Sequence, residues 1–343
     1  MTENNEGQTS NGNSVIKTSD AARVIVYTGN VMKQANINSF NSGKNNQELV
    51  SALTDTLKAY LYTKPMWTFD KVNGILEIPD PFYFDQKLTE DRNEYEITAK
   101  LFYLPSSSTS VIEPSPPPQY VAQSIYHLFK VLGINTIDTF IVYFNGLIFN
   151  YSDEVDGSSS NDNFTKSDFD NLIKVWTELE KFHVNNRIHK LGVSEFTKNR
   201  LESFINAVEI SPKVNQINII DCNNGEILEF AKKNDIELLT HRDPTVILPS
   251  KTFRNIIEET NTNKISLNND LLPRWVLKYS VMIKCRGVVA NKGYIVMGST
   301  PNSVSLHNLF IIFFANKLFF GTLQYVDYVD YGNYENHYHF SIS

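Results

Sequence analysis

Lys190-Leu191-Gly192-Val193-Ser194-Glu195-Phe196 reads as a strand with a helix pattern on either side, and that alternation decides the fold. Upstream, Phe169, Leu172, Ile173, Trp176 and Leu179 draw one apolar stripe at helical spacing. Ser167 followed by Asp170 resembles a capping box with Asp in place of the usual Glu. Downstream, Thr197 is placed to cap a helix with Leu201, Phe204, Ile205 and Val208 on one face. A strand over 214–220, a helix over 226–233 and a strand over 236–240 continue the pattern.

The same reading extends in both directions. Strands are expected at 22–27, 74–78, 96–103 and 139–144, and helices at 47–62 and 120–132. A last helix is predicted to start near Leu271, with Pro273 tolerated in its first turn, and to lead into a strand at 287–290. Strands that alternate with helices are joined by crossovers and lie parallel. Continuous apolar strands fit a sheet covered on both faces. The number of such units favours a closed (β/α)8 TIM barrel over an open sheet, and no Gly-rich dinucleotide fingerprint follows an early strand.

Four stretches fall outside this pattern. Residues 1–21 are rich in Asn, Ser, Thr and Gly and are expected to be a disordered head before a barrel spanning 22–298. Residues 151–166 form a long polar loop, and Pro114 and Pro116 to Pro118 keep the connection at 106–118 from becoming helical. Residues 299–343 are a C-terminal extension rich in aromatics. Its apolar part, about 15 residues broken by Asn316 and Lys317, is short for a membrane span of about 20 residues.

Composition excludes several classes. A net charge of -7 offers no basic footprint for nucleic acid and little attraction to anionic lipid. Two cysteines, Cys222 and Cys285, rule out a disulfide scaffold or a Cys-rich zinc site and fit a reducing compartment. The polar N-terminus has neither a secretory nor a transit pattern, so a cytoplasmic location is expected. His183 and His189 do not have a helical ligand spacing, and no metal site is expected.

Lys190–Phe196, the run Pro212-Lys213-Val214-Asn215-Gln216-Ile217 and the last strand ending in Lys292 resemble, in order, the later strands of aldo-keto reductases. A narrower resemblance lies in Leu238–Pro244, in the run from Pro273 to Ile295, in Tyr27-Thr28-Gly29-Asn30 and in Ala99-Lys100-Leu101-Phe102. These stretches are similar to the regulatory (modifier) subunit of glutamate–cysteine ligase, an aldo-keto reductase relative, over about residues 22–297. The resemblance implies a barrel that binds the catalytic subunit as a heterodimer, lowers its apparent KM for glutamate and relieves feedback inhibition by glutathione.

The same resemblance implies which site residues to inspect. Reductases of this type use an Asp, Tyr, Lys and His set to protonate a carbonyl while a nicotinamide supplies hydride. Lys100 matches the Lys, but Tyr143 stands at the His position. The expected Asp and Tyr pair is absent: Asp80 is followed by Tyr83 at the wrong spacing, and the residue at the right spacing is Asp85. Lys100 is therefore expected to be vestigial and the chain non-catalytic. Ser194, Gln216 and Lys292 are the candidates for an NADPH site that function would not require, with Glu195 and His241 as departures from the family pattern. Cys222 matches a Cys of the related subunit and is the candidate for a disulfide to the partner. The alternatives left open are an NADPH-dependent reductase with a rearranged donor such as Tyr143, and an NADPH-binding sensor.

Overall fold

The computed structural model describes residues 21–301, apart from 34–45, 65, 71–73, 83–86, 105–116, 145–165, 219–224 and 263–264. The expected polar loop, Cys222 and nearly all of the head and extension lie outside the described residues. Strand β1 (Arg23–Tyr27) is followed by α1 (Gln47–Ala59), β2 (Thr68–Asp70) and β3 (Ile75–Pro79). A run of strands and helices then follows: β4 (Tyr95–Tyr103), α2 (Gln119–Leu132), β5 (Ile137–Phe144), α3 (Lys166–Val184), β6 (Ile188–Ser194), α4 (Lys198–Ile205), β7 (Val214–Asn218), α5 (Gly225–Lys233) and β8 (Glu237–His241). The described chain finishes with α6 (Ser250–Thr260), β9 (Leu272–Ile283) and β10 (Val288–Ser299).

β4 to β8 pair parallel in chain order, as the expected crossovers require, and β1 pairs parallel with β3. Between these two parallel groups lies an antiparallel hairpin, with β10 on β1 and β9 on β4. The result is a 10-stranded sheet in the order β2-β3-β1-β10-β9-β4-β5-β6-β7-β8. Among the described residues no ladder joins β2 to β8, so hydrogen bonds do not close the sheet into the barrel expected from sequence.

The hairpin also corrects the helix expected from Leu271. Trp275, Leu277, Tyr279 and Val281 are all buried on one side of β9, while Arg274, Val276, Lys278 and Ser280 face the other. That is a period of two, which a helix cannot place on two faces. Pro273 stands next to the strand's first residue, a position where proline is tolerated. Ser167 lies within α3 rather than before it, so it does not cap that helix. Helix α6, with Phe253, Ile256 and Ile257 buried, was not anticipated.

Alternation along the strands divides the interior in two. Ile25, Ile97, Leu101, Phe140, Val142, Leu191 and Val193 pack on one face beneath α2, α3 and α4. There Trp176 of α3 sets its ring edge-on to Phe204 of α4, with centroids 5.0 Å apart, and donates its Nε1–H to the Ile210 carbonyl at 2.9 Å. On the other face Val24, Val26, Phe102, Tyr143, Val276 and Val296 meet α1 and α6. Lys100 projects to this second face, between Leu101 and Ala99 of the first.

Thr197 caps α4 as expected, its Oγ1 accepting from the Arg200 amide at 3.3 Å. Thr197→Ala is expected to cost about 1 kcal/mol in denaturant melts, the typical value of such a cap. A loss no larger than about 0.3 kcal/mol would mean that packing of Leu201 and Phe204 alone holds the helix.

Candidate functional site

Past the cluster formed with α1 and α6, the second face of the sheet holds a cavity of about 540 Å³. Its walls bring together Lys100 of β4, Gln216 of β7, His241 at the end of β8, Lys278 of β9 and Lys292 of β10. Four residues singled out from sequence, Lys100, Gln216, His241 and Lys292, therefore share one site, toward the C-terminal ends of the parallel strands. That is where a parallel α/β sheet usually places ligands.

The centre of the site is a residue the sequence did not point to. Asp243, just after β8, accepts from Lys100 Nζ at 3.0 Å and from Lys278 Nζ at 2.7 Å, one lysine on each carboxylate oxygen. The β4–β9 register puts Lys100 directly opposite Lys278. Like charges facing across a ladder repel, and Asp243 makes the pair tolerable. Burial would raise the Asp243 pKa, but Lys100 and Lys278 outweigh it and hold the carboxyl well below the usual carboxylate range. Burial pushes the Lys100 ammonium down to about 8 against the pull of Asp243.

The residue proposed as a substitute proton donor is engaged elsewhere. Tyr143 donates its hydroxyl to the Thr245 carbonyl at 2.8 Å, and burial pushes its pKa up. Lys100 stands over the Tyr143 ring, 5.4 Å from its centroid, and over Phe102 at 4.9 Å, so it meets the face of the tyrosine rather than its oxygen. Asp80 is buried apart from this group. It accepts from the Phe82 amide at 2.8 Å and from Thr56 Oγ1 at 3.3 Å, while Tyr83 and Asp85 lie outside the described residues.

The three expected NADPH contacts divide. Ser194 is fully buried, does not line the cavity and donates to the Gln216 carbonyl at 2.8 Å. Lys292 lines it but is held 2.7 Å from Glu48, whose other oxygen accepts from Tyr294 at 2.7 Å. Gln216 lines it with its side-chain oxygen buried and without a hydrogen-bond partner among the described residues. Glu195 adopts a left-handed backbone at φ 64, where Asn is more at ease than Glu. Its carboxylate pairs closely with His241 Nε2. The Asp243 amide donates to His241 Nδ1 at 3.0 Å, which places the ring proton on Nε2, toward Glu195.

Elsewhere, His183 Nδ1 contacts the Ile188 carbonyl at 2.9 Å, and His189 lies 3.5 Å from Asp138. Among the described residues no group of three His, Cys, Asp or Glu side chains could hold a metal. No described helix is long and apolar enough to cross a membrane. Cys285 is exposed in the turn between β9 and β10.

A mixed α/β sheet with a polar, ion-paired cavity at its strand ends defines the class of protein; relatives narrow it further. No family model matches the chain. It is similar to the glutamate–cysteine ligase regulatory subunit of Mus musculus, 25% identical over 285 residues, covering 82% of this chain and 95% of that one. The Homo sapiens subunit is 24% identical, covering 81% and 93%. A Schizosaccharomyces pombe protein provisionally named for the same subunit is 29% identical, covering 80% and 96%. An NADPH-dependent alpha-keto amide reductase of Saccharomyces cerevisiae matches at 26% identity over only 32% of this chain and 38% of its own. Solved structures that overlap in part include a Bombyx mori aldo-keto reductase in complex with NADP, with TM-score 0.28, 15% identity and 39% of each chain covered. Another is an aldo/keto reductase from Brucella melitensis, with TM-score 0.28, 19% identity and 43% and 51% covered.

Proposed function

We propose that this chain is a regulatory subunit of glutamate–cysteine ligase, which binds the catalytic subunit as a heterodimer and performs no chemistry of its own. The observation that carries the reading is one of extent. Similarity to subunits of that name runs over four-fifths of the chain and nearly all of theirs, while likeness to a working reductase covers a third. The site agrees with it: the Tyr143 hydroxyl is turned to a backbone carbonyl.

Regulation of this kind is differential binding. The subunit lowers the apparent KM for glutamate and relieves glutathione inhibition to the extent that it prefers the glutamate-competent conformation of its partner. The cytosol is the compartment this reading assigns. The first test is assembly: the full chain mixed with the purified catalytic subunit from the same source is expected to co-elute on size exclusion as a one-to-one complex. Separate elution at micromolar concentrations of both would remove the reading's support. Cys222 is the residue proposed for a disulfide to the partner. Cys222→Ser is expected to abolish a reductant-sensitive covalent heterodimer on non-reducing gels, while Cys285→Ser leaves it.

The NADPH reading rests on Gln216 and on the yeast reductase likeness. It is weakened by Ser194, which is fully buried and does not line the cavity, and by Lys292, which Glu48 already holds. Fluorescence titration with NADPH separates it from the regulatory reading.

A further inference from the structure

The cavity has features that neither a vestigial active site nor partner binding accounts for. Its walls carry four cations, Lys100, Arg242, Lys278 and Lys292, against two carboxylates, Glu48 and Asp243. Glu195, which does not line it, is engaged by His241. Lys100 and Lys278 share the single charge of Asp243, and Lys292 is matched by Glu48. Arg242 is exposed at the cavity and makes no ion pair among the described residues. The Gln216 side-chain oxygen is a buried acceptor without a donor, in the same wall. A buried acceptor left empty costs about 1–3 kcal/mol, so a ligand that brings a donor there gains what the folded chain lacks.

We propose that this cavity binds a small dicarboxylate that also carries an N–H donor, the chemistry of an acidic amino acid or a short acidic peptide. One carboxylate meets the Arg242 fork, whose planar donors match that group. The second carboxylate takes the ammonium of Lys278, which is a third exposed and faces the cavity. The N–H of the ligand donates to Gln216. A cavity of this volume is in the range that encloses a small molecule. Phosphate chemistry is disfavoured: among the described residues no glycine lines the cavity, and the first turn of α1 presents the Glu48 carboxylate there, which repels a phosphate. This proposal rests on the chain's own residues and goes beyond the partner reading; either can fail without the other.

The test is calorimetric titration of the isolated full chain with glutamate, with glutarate and with NADPH. Glutarate has both carboxylates of glutamate and no N–H donor. Saturable glutamate binding is expected, with glutarate at least tenfold weaker. Arg242→Ala and Gln216→Leu should each weaken glutamate binding about tenfold, the equivalent of about 1.4 kcal/mol, while thermal melts show the variants folded. With Gln216→Leu, glutamate and glutarate should bind nearly alike, an effect a merely misfolded wall would not give. No saturation by about 10 mM glutamate in the folded chain overturns the proposal. Equal binding of glutamate and glutarate overturns the role of Gln216. Saturable NADPH binding that excludes glutamate replaces the proposal with the cofactor reading.

Discussion

Asp243→Asn is expected to lower the stability of the folded chain by about 3–5 kcal/mol, the usual cost of removing one partner from a buried ion pair. The Asp243 and Lys100 side chains are only 8% and 5% exposed, so water cannot replace the lost carboxylate at Lys100. Lys278, at 33%, can turn to solvent and contributes little to the loss. Lys100→Met is the contrasting variant. It removes the buried cation and leaves Asp243 with Lys278, so it should cost much less.

The two groups titrate in opposite windows. Asp243 has its folded pKa depressed, so its stabilisation is present above the unfolded carboxyl value and is lost as pH falls below about 4. Lys100 is depressed too, but it is a cation. Between about 8 and an unfolded value of about 10.4 the unfolded chain holds a proton the folded chain has released, so stability rises with pH there. Lys100→Met should flatten that alkaline rise. Asp243→Asn should extend it downward, because the largest upward pull on Lys100 is gone. Urea melts at several pH values read all three. A loss under about 1 kcal/mol at pH 7 for Asp243→Asn would mean the cluster behaves as a surface pair.

Gly293→Ala is the second large effect. A methyl group at this position would lie 2.3 Å from the Gly29 carbonyl oxygen and 2.5 Å from the Tyr279 hydroxyl oxygen. Gly29 follows β1, and Tyr279 is the β9 residue paired with Gly293, so the methyl would press on both neighbours of β10. Because one clash is with backbone, a rotamer change cannot relieve it, and a loss of about 3 kcal/mol or more is expected. Lys292 and Tyr294, which flank Gly293, line the cavity, so ligand binding should fall with it. Gly225→Ala is the control, with nothing among the described residues within 4 Å of the added group, and should be nearly neutral. Equal melting of both variants would show that β1 and β9 can separate freely at Gly293.

Much of this was legible in the sequence where a signal is local. The β6–α4–β7–α5–β8 run follows from strand composition, helical stripes and the Thr197 cap, all of which act within a few residues. β9 was misread as a helix because Pro273 looked like a first-turn proline. The alternation from Trp275 to Val281 was there to be counted. Helix α6 was missed although Phe253, Ile256 and Ile257 have the spacing of a helical face.

The site was legible at its motif positions and not in its electrostatics. Lys100, Gln216, His241 and Lys292 came from motif positions, and they do meet in one cavity. Asp243 lay inside the Leu238–Pro244 run but was given no role there, and Glu48 belonged to no motif. Each bonds a lysine more than a hundred positions away in the chain, a contact that only the tertiary fold makes. Ser194 was expected in the cavity wall, but its hydroxyl bonds across the β6–β7 ladder instead.

Regulation of the partner is read in a steady-state assay. The full chain is added to the purified catalytic subunit of glutamate–cysteine ligase, and ADP release is followed against glutamate concentration with and without glutathione. A lower half-saturating glutamate concentration and weaker inhibition by glutathione are expected once the chain is present in excess. Unchanged saturation and unchanged inhibition, at concentrations where the two proteins co-elute, would contradict it.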